Sequence, residues 1–269
     1  KKLINRSGVR LIDFENFNQN TFQVVTELTY KNGEDEFRPD ITLLVNGMPL
    51  VFIEVKKPNN RDGVIAEHKR IQSRFSNKKF RNFANVTQLM IFSNNMEYDE
   101  SSSHKVEGAF YASSSYNKTK FNYFREELEF NLDDLLLPIS ENDELSVLRD
   151  NNLISIKNSP EFEKNKNPDT PTNRICTSLL CRERLAFILE FAFAYVDEED
   201  GVQKHIMRYP QFSFAQESSE GSETEYIFKM IKSCIGTIVD GETIYERADF
   251  TDKDLDTFIE SLTSEHFQR

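Results

Sequence analysis

The sequence predicts an α/β fold with a mixed central β-sheet flanked by helices, followed by a mostly helical segment. Two apolar runs, Ile41–Val45 and Met48–Val55, flank Asn46-Gly47, which is the strongest short-range signal for a two-residue β-hairpin turn. Apolar residues then recur at helical spacing among basic ones. A compact apolar run follows and ends in polar residues, as expected of a buried strand that returns parallel after a helical crossover.

The remaining elements of the first domain follow from local patterns. Leu11–Phe14 and Thr21–Tyr30 predict a short and a longer strand before the hairpin, because the longer run is rich in β-branched residues and alternates in polarity. Val64–Phe80 predicts an amphipathic helix whose basic side faces outward. Val86–Phe92 predicts the buried parallel strand, and Gly108–Ala112 predicts a further strand.

The second half of the sequence predicts helices and a linker. Phe121–Leu137 is rich in aromatic and acidic residues and predicts a helix that ends before Pro138. Leu179–Val196 carries apolar residues around most of its circumference, which predicts a well-buried helix. The predicted units are an α/β domain over residues 1–150, a linker rich in Asn, Lys and Pro over 151–173, a helical segment over 174–215 and an unassigned stretch over 216–269.

The composition is that of an ordinary globular protein. The 269 residues are 38% hydrophobic and 29% charged, and no run approaches the roughly 18 apolar residues that a membrane span needs. The start of the sequence does not resemble a signal peptide. The three cysteines form no CxxC pair, which argues against a disulfide framework or a zinc site. These features predict a cytoplasmic protein without a membrane partner.

Charge is distributed unevenly along the chain. The net charge of −12 argues against a protein that coats nucleic acid indiscriminately. Residues 56–81, however, contain nine basic residues against two acidic ones. Such a segment is either the footprint of a phosphate backbone or a solvated helix face, and charge alone leaves both interpretations open. The candidate DNA contacts within the segment are Lys57, Lys69, Arg70, Gln72 and Arg74.

Three polar groups lie at the open end of the predicted hairpin. Side chains alternate along a strand, so Glu54 and Lys56 share one face. Simple pairing across the turn sets Asp40 beside Ile53, one residue out of register with Glu54. Pro49 lacks the backbone donor that a ladder needs, so a bulge at Pro49 would bring Asp40 onto the face of Glu54. The sequence leaves this register open.

These groups suit metal-dependent phosphodiester hydrolysis. Mg²⁺, with Mn²⁺ as a substitute, prefers carboxylate oxygens, polarises the phosphate and activates water. Asp40 and Glu54 supply the carboxylates, and the backbone carbonyl of Val55 offers a third oxygen. Lys56 would orient the attacking water or neutralise developing charge. A purely surface role for Glu54 is disfavoured, because it sits within an apolar run where an unpaired carboxylate is costly to bury, but a structural ion pair with Lys56 stays open as the alternative.

The spacing Asp-x13-Glu-x-Lys on a hairpin is the pattern of the PD-(D/E)xK nucleases, and Pro39 precedes Asp40 as that pattern requires. More of the chain, about residues 9–212, resembles the N-terminal nuclease region of the R subunit of type I restriction enzymes. The segments that carry this resemblance are Val9–Phe14, Asn20–Val25, Arg38–Ile41, Val45–Val51, Ile53–Pro58, Gln88–Asn94, Gly108–Tyr111 and Lys204–Phe212.

The resemblance implies a type I site-specific deoxyribonuclease with a PD-(D/E)xK restriction-endonuclease-like core over residues 1–150. It implies that Asp40, Glu54 and Lys56 cleave double-stranded DNA with Mg²⁺. It also implies methyltransferase and specificity subunits as partners, and a motor after residues 174–215 that consumes ATP. A stand-alone nuclease of the same superfamily and a catalytically silent module that docks on DNA or protein are the alternatives.

Two departures limit the resemblance. Related nucleases often carry Gln-x-x-x-Tyr on the helix after the hairpin, whereas Gln72 is followed by Phe75 and Ser76, so a merely polar surface role for Gln72 stays open. No Gly-x4-Gly-Lys-Ser/Thr occurs, and in the nearest stretch, Gly236–Thr243, Glu242 replaces the phosphate-binding lysine. The sequence predicts no ATP site here: either the motor is absent from this chain, or the residues after about 215 are not contiguous with the rest.

Overall fold

A computed structural model describes residues 10–57, 63–98, 108–115, 119–125, 138–198, 201–208, 236–239 and 242–245. The chain divides into two compact units, residues 1–206 and residues 207–269. In the larger unit the strands are, in chain order, β1 (Phe22–Thr26), β2 (Tyr30–Asn32), β3 (Asp35–Phe37), β4 (Ile41–Val45), β5 (Met48–Val55), β6 (Leu89–Ser93), β7 (Ala109–Ser113), β8 (Asn122–Tyr123), β9 (Phe193–Glu198) and β10 (Gly201–Ile206). The smaller unit contains a hairpin of β11 (Gly236–Val239) and β12 (Glu242–Tyr245).

A six-stranded mixed sheet forms the centre of the larger unit, in the order β1-β4-β5-β6-β7-β8. β5 and β6 pair in parallel, whereas every other neighbouring pair in this sheet is antiparallel. β2 and β3 form a separate two-stranded ribbon, as do β9 and β10. The predicted α/β class with a mixed central sheet is therefore confirmed.

The turn between β4 and β5 has the predicted conformation. Asn46 has a φ of 50° and Gly47 a φ of 79°. Two consecutive residues with positive φ match the right-handed twist of the strands they join. The side chain of Asn46 also ties the turn to the preceding chain, since its Oδ1 accepts from Thr21 N at 2.8 Å and its Nδ2 donates to Leu11 O at 2.9 Å.

A β-bulge interrupts the pairing of β4 with β5 beside Pro49. Leu44 pairs with Pro49, but the next residue of β4, Leu43, pairs with Val51. Leu50 is therefore the extra residue, placed next to the proline that cannot donate to the ladder. The bulge expected at Pro49 is confirmed.

Two helices and a 3₁₀ turn make the crossover from β5 to β6. They are α1 (Gly63–Ser76), the 3₁₀ turn Lys78–Phe80 and α2 (Arg81–Val86). The helix predicted over Val64–Phe80 is confirmed for most of its length. The strand predicted from Val86 begins only at Leu89, because Thr87 N still donates to Phe83 O and closes the last turn of α2.

Phenylalanine dominates the core between the sheet and the crossover helices. Phe37 from β3 meets Phe52 from β5 edge to face, with ring centroids 5.4 Å apart, and Phe83 from α2 at 5.1 Å. Such edge-to-face pairs stabilise beyond the apolar area that they bury. The buried members of this cluster are Phe37, Phe52, Ile71, Phe75, Phe80, Phe83, Ala84, Met90, Phe92, Phe110 and Ala112.

The stretch before β2 departs from the sequence prediction. Leu11–Phe14 is not a strand, because the Asn20 side chain takes the backbone groups of Asp13: Asp13 N donates to Asn20 Oδ1 at 2.9 Å and Asn20 Nδ2 donates to Asp13 O at 2.8 Å. The strand predicted over Thr21–Tyr30 is split in two, since Glu27 adopts a positive φ of 52°.

The second half of the larger unit contains more structure than a linker and helices. Its helices are α3 (Glu141–Asp150), α4 (Pro160–Asn165), α5 (Pro171–Leu180) and α6 (Arg182–Phe191). The stretch predicted as a linker, 151–173, thus holds α4 and the start of α5. The segment predicted as helical, 174–215, is helical to Phe191 and then forms β9 and β10. Of the helix predicted over Phe121–Leu137, residues 126–137 lie outside the described residues, and residues 122–123 form β8 instead.

Lys204 fastens β10 to the end of α2. Its Nζ, which has three hydrogens to donate, lies within hydrogen-bonding distance of four oxygens: the carbonyl oxygens of Ala84 (2.6 Å), Asn85 (2.8 Å) and Thr87 (2.7 Å) and Ser114 Oγ (3.0 Å). Burial lowers the pKa of the Lys204 ammonium to about 7, whereas these four oxygens favour its protonated form. The side chain caps the last carbonyls of α2, as cations do at helix C-termini.

Candidate functional site

The bulge in the β4–β5 hairpin aligns the three predicted site residues. It pairs Ile41 with Ile53, so Asp40, one residue before Ile41, falls opposite Glu54. Asp40 Oδ2 accepts a hydrogen bond from Val55 N at 2.8 Å, which holds the carboxylate against the end of β5. The structure therefore brings Asp40, Glu54, Val55 and Lys56 together at the open end of the hairpin.

Lys56 lies at the centre of this group. Its Nζ is 3.0 Å from Glu54 Oε2 and 3.9 Å from Asp40 Oδ2. Its backbone N donates to Ser93 O at 2.8 Å and so extends the parallel pairing of β5 with β6 by one residue. The pairing of β5 with β6 thus fixes the backbone position of Lys56, and the carboxylates fix the position of its ammonium group.

Glu67 of α1 completes the group and was not among the predicted site residues. Its carboxylate is 1% exposed, and its Oε2 lies 3.3 Å from Lys56 Nζ and 2.8 Å from Arg70 Nη1. Arg74 Nη1 is 3.7 Å from the other oxygen. A weak signal for Glu67 exists in the sequence: it is an acidic residue three and seven positions before two arginines, which are spacings that place side chains on one helix face.

The electrostatics of the group favour a cation or a proton near Glu54. Burial is the main cause that raises the pKa of Glu54 to about 7, and the negative charges of Glu67 and Asp40 raise it further, while Lys56 opposes them. Burial lowers the pKa of Lys56, but Glu54, Glu67 and Asp40 more than compensate and raise it above its ordinary value. Three carboxylates thus stabilise one ammonium ion.

One oxygen of the Asp40–Glu54 carboxylate pair, Glu54 Oε1, is available as a ligand for a metal ion. Glu54 Oε1 is buried and accepts no hydrogen bond from the part of the chain that the structure describes, and Asp40, 45% exposed, opens toward solvent. Hard divalent ions prefer such oxygens. Within the described ranges no three His, Cys, Asp or Glu side chains lie close enough to hold a metal ion by themselves. The residues therefore fit an ion held by Asp40 and Glu54, with the Val55 carbonyl and water to complete its ligands.

The five candidate DNA contacts are in different environments. Lys57 and Lys69 are exposed. Arg70 and Arg74 both pair with Glu67, and the Arg74 guanidinium also lies 4.4 Å from the centroid of the Phe37 ring. The basic face of α1 is thus partly committed to contacts within the protein.

Gln72, the fifth candidate, faces the protein rather than open solvent. Its Nε2 donates to Thr119 O at 3.1 Å and lies 2.9 Å from His68 Nε2. His68 in turn packs edge to face on Phe121, with ring centroids 4.7 Å apart. These contacts join α1 to the chain just before β8, so a structural role accounts for Gln72.

Gly236–Thr243, the stretch whose sequence comes nearest to a nucleotide-binding loop, belongs to the β11–β12 hairpin. β11 pairs with β12 in antiparallel register, from Gly236 opposite Tyr245 to Val239 opposite Glu242. A phosphate-binding loop needs a glycine-rich turn that leads into a helix. Two paired strands do not supply that arrangement.

Two protein families match this chain, one on each side of residue 100. The family described as "Type I restriction enzyme R protein N terminus" matches residues 3–99. The family described as "T4 bacteriophage base plate protein" matches residues 125–269, which is more than half of the chain. The second match includes Lys204–Phe212, which the sequence alone related to the R subunit, and the unassigned stretch 216–269.

Individual relatives are similar over short stretches. A protein of Methanocaldococcus jannaschii whose name assigns it to the type I restriction enzyme MjaVIIP as an endonuclease subunit is 47% identical over 47 residues. That match covers 18% of this chain and 4% of the relative. A second protein of the same organism, named for MjaVIIIP in the same way, is 45% identical over 49 residues, which is 18% of this chain and 5% of the relative. The chain thus matches only a small part of these relatives.

The helices offer no candidate for a membrane span. Among the residues that the structure describes, none of the helices is both long enough and apolar enough to cross a bilayer.

Proposed function

This chain belongs to the type I restriction enzyme R protein N-terminus family over residues 3–99 and to the T4 bacteriophage base plate protein family over residues 125–269, and from the first we propose that its β4–β5 hairpin is the active centre of a DNA endonuclease. The observation that carries the proposal is the bulge at Pro49. It sets Asp40 opposite Glu54, with Asp40 Oδ2 3.9 Å from Lys56 Nζ, and this proximity of the three residues supports a site of the PD-(D/E)xK kind.

The proposed reaction is the hydrolysis of phosphodiester bonds in double-stranded DNA. Asp40, Glu54 and the Val55 carbonyl would hold Mg²⁺, or Mn²⁺ in its place. When bound, this ion polarises the phosphate and lowers the pKa of a water molecule. Lys56 orients the attacking water and offsets the negative charge that develops on the phosphate oxygens. The exposed Lys57 and Lys69 attract the DNA backbone.

The setting of this reaction is a type I restriction system. In a complete R subunit, cleavage would be coupled to translocation by a motor that consumes ATP, and the complex would include methyltransferase and specificity subunits. ATP would serve that motor alone, since the chain offers no phosphate-binding loop. A stand-alone endonuclease of the same superfamily would use the same hairpin residues.

A second candidate function is a docking module without catalysis. The observation in its favour is the charge balance of the site, in which three carboxylates meet three cations: Asp40, Glu54 and Glu67 with Lys56, Arg70 and Arg74. A cluster that is already neutral needs no metal ion. Metal binding therefore separates the two functions.

Isothermal titration calorimetry with Mn²⁺ provides that test. We expect one site on the chain, lost in both Asp40→Ala and Glu54→Ala and kept in Glu163→Ala, which removes an exposed carboxylate paired only on the surface with Lys166. The absence of any Mn²⁺ site on a folded chain would favour the docking module.

Cleavage is best measured on supercoiled DNA, both with the chain alone and with the partner subunits added. We expect Lys56→Ala to lower the cleavage rate by about 100-fold or more while the Mn²⁺ site persists, because electrostatic stabilisation of this kind is worth about 10²–10³ in rate. Equal cleavage by the parent chain and Lys56→Ala would contradict the role given to this lysine.

A further inference from the structure

Glu67 is a buried carboxylate to which the proposed reaction assigns no role. It belongs to α1, not to the hairpin, and yet it reaches the ammonium group of Lys56 at 3.3 Å. Burying a carboxylate is costly unless cations compensate it, and Lys56, Arg70 and Arg74 do so here. We propose that Glu67 is a positioning residue that holds Lys56 in place for catalysis. This inference rests on the proposed endonuclease function of the hairpin.

Lys56 needs a partner outside its own strand. A lysine side chain has four flexible torsions, and fixing them costs about 2 kcal/mol of conformational entropy. Glu54 is two residues away on the same strand and restrains the ammonium from one side only, at 3.0 Å. Glu67 approaches from the helix that crosses over to β6. The lysine is thus held between two elements of the fold.

Glu67 has more cationic partners than Glu54, although its Oε1, like that of Glu54, accepts no hydrogen bond from the described residues. Arg70, one turn further along α1, donates to Glu67 Oε2 at 2.8 Å. Arg74, a further turn along, lies 3.7 Å from Glu67 Oε1 and is fixed by its contact with the Phe37 ring. This explains why two arginines that the sequence suggests for DNA contact turn toward the protein. They orient the carboxylate that orients the lysine.

Glu54 and Glu67, the two carboxylates nearest to Lys56 Nζ, therefore have different tasks. Glu54 is shared, because its oxygens are also the proposed ligands of the divalent cation. Glu67 faces three basic groups, whose positive charges would repel a divalent cation. If Glu54 were a ligand of the cation, Glu67 would still hold the ammonium group of Lys56 in place.

Chemical modification of lysines tests this role without requiring cleavage. An amine-reactive acetylating reagent is applied to the whole chain, and the modification rate of each lysine is measured by peptide mass spectrometry. Lys69 is exposed on the same helix and serves as the internal reference. We expect Lys56 to react several-fold more slowly than Lys69, because its side chain is only 20% exposed and its amine is enclosed between the Glu54 and Glu67 carboxylates.

The decisive variant is Glu67→Gln, which keeps the shape of the side chain and removes its charge. We expect its Lys56 to react several-fold faster than in the parent chain, because the carboxylate that holds the amine from α1 is gone while Glu54 and Asp40 remain. Glu163→Gln, the matched surface control, should leave Lys56 as slow as in the parent chain. If Lys56 stays slow in a folded Glu67→Gln chain, Glu67 does not hold it and the proposal is overturned.

A second variant covers the case in which Glu67→Gln does not fold, as judged by far-ultraviolet circular dichroism. Glu67→Asp keeps the charge but withdraws it by one methylene group. We expect a Lys56 rate between those of the parent chain and Lys69, whereas a rate equal to that of the parent chain would count against the proposal.

Mn²⁺ calorimetry and cleavage complete the design. Glu67→Gln should keep the Mn²⁺ site and lower cleavage by about 10- to 100-fold, as expected when a supporting residue is lost. Loss of the Mn²⁺ site in Glu67→Gln would make Glu67 a ligand and overturn the positioning role. If the parent chain neither binds Mn²⁺ nor cleaves DNA, the proposed function fails, while the modification rates still report whether Glu67 holds Lys56.

Discussion

The Glu54 carboxyl makes the folding of this protein depend on pH. Its pKa is about 7 in the folded chain, against an ordinary value of 4.5. The folded state therefore binds a proton more tightly than the unfolded state. Between pH 4.5 and 7 the unfolded chain has lost this proton while the folded chain keeps it. The contribution to stability is thus fully present below pH 4.5 and is lost as the pH rises through 7.

Glu54→Gln should remove this dependence. At pH 8 in the absence of divalent cations, we expect the variant to have a higher free energy of unfolding than the parent chain, by at most about 3 kcal/mol. At pH 4.5 the advantage should vanish, because the parent carboxyl is then protonated in the folded state. Urea denaturation followed by circular dichroism at both pH values measures the difference, with Glu163→Gln as the control. Equal free energies at pH 8 would show that Glu54 is not destabilised by its surroundings.

Individual site residues differ in how far the sequence predicts them. The sequence predicts that Glu54 and Lys56 share a face, because side chains alternate along a strand. It only suggests that Asp40 joins them, because that depends on the bulge beside Pro49, which the structure shows. Glu67 cannot be predicted, because its approach to Lys56 depends on how α1 packs on the sheet. Gln72 shows the opposite problem: its side chain suits a DNA contact, but Thr119, 47 positions along the chain, offers it a carbonyl oxygen.

The hairpin element depends on its turn in two separable ways. Gly47 has a positive φ, and a methyl group added there would meet open space, so Gly47→Ala tests the backbone conformation alone. Asn46 also has a positive φ, but its side chain makes three hydrogen bonds, to Thr21, Leu11 and Asn20.

We expect Gly47→Ala to lower the free energy of unfolding by about 1–2 kcal/mol, the cost of a left-handed conformation for an L-residue. Asn46→Gly keeps the positive φ accessible and removes the three hydrogen bonds, so we expect a loss of about 2–3 kcal/mol. Urea denaturation measures both. A smaller loss for Asn46→Gly than for Gly47→Ala would mean that the side chain of Asn46 does little to hold the hairpin.

The β9–β10 hairpin depends on one buried lysine. Replacing Lys204 with methionine keeps most of its volume but removes the ammonium group that three backbone carbonyls and Ser114 Oγ share. The Ser114 hydroxyl and Gln88 Nε2 still donate to these carbonyls, so the loss is that of the charged donor. We expect Lys204→Met to lower the free energy of unfolding by about 2–4 kcal/mol. Hydrogen exchange should also show faster opening of α2 and β10. His205→Ala, on the exposed side of the same strand, is the control, and a loss no larger than this control's would contradict the anchoring role.

Elements that depend on local signals are the ones that the sequence predicts well. The β4–β5 hairpin and α1 have a turn signal and a helical period, and both are confirmed. β9 is different: Phe193, Tyr195 and Val196 continue an apolar pattern that α6 begins, so a single helix is the natural prediction. The break at Phe191 follows from the pairing of β9 with β10, which is a contact with chain further along.

On the scale of the whole molecule, the boundary between the two families falls inside one compact unit. The first family match ends at residue 99 and the second begins at residue 125, whereas the compact units divide between residues 206 and 207. Contacts join the two matches within the larger unit: Thr172 Oγ1 donates to Ser93 Oγ at 2.8 Å, beside the backbone that holds Lys56. The sheet that carries the site is thus supported by both matches.

The composition of residues 151–173 does not reveal that the larger unit continues through them. Residues 151–173 are rich in Asn, Lys and Pro and predict a linker, but two of their prolines, Pro160 and Pro171, occupy the first turns of α4 and α5. Proline suits that position, because its fixed φ matches the helix and its missing N–H is not needed there. The same residues that interrupt a helical pattern in the sequence therefore begin helices in the structure.

Truncation tests whether the larger unit is one folding unit. A chain that ends at Ile206 keeps α5, whose Ile175 and Leu179 are fully buried, as well as the Lys204 anchor. We expect its thermal midpoint to lie within about 3 °C of that of the larger unit in the whole chain, with the Mn²⁺ site intact. A chain that ends at Arg125 keeps the whole first family match and all six strands of the central sheet, but it loses these supports. Its transition should disappear or fall by more than about 10 °C, and circular dichroism measures both. If the shorter chain instead unfolds cooperatively at the same temperature and still binds Mn²⁺, then residues 3–99 and the strands up to β8 suffice to build the site.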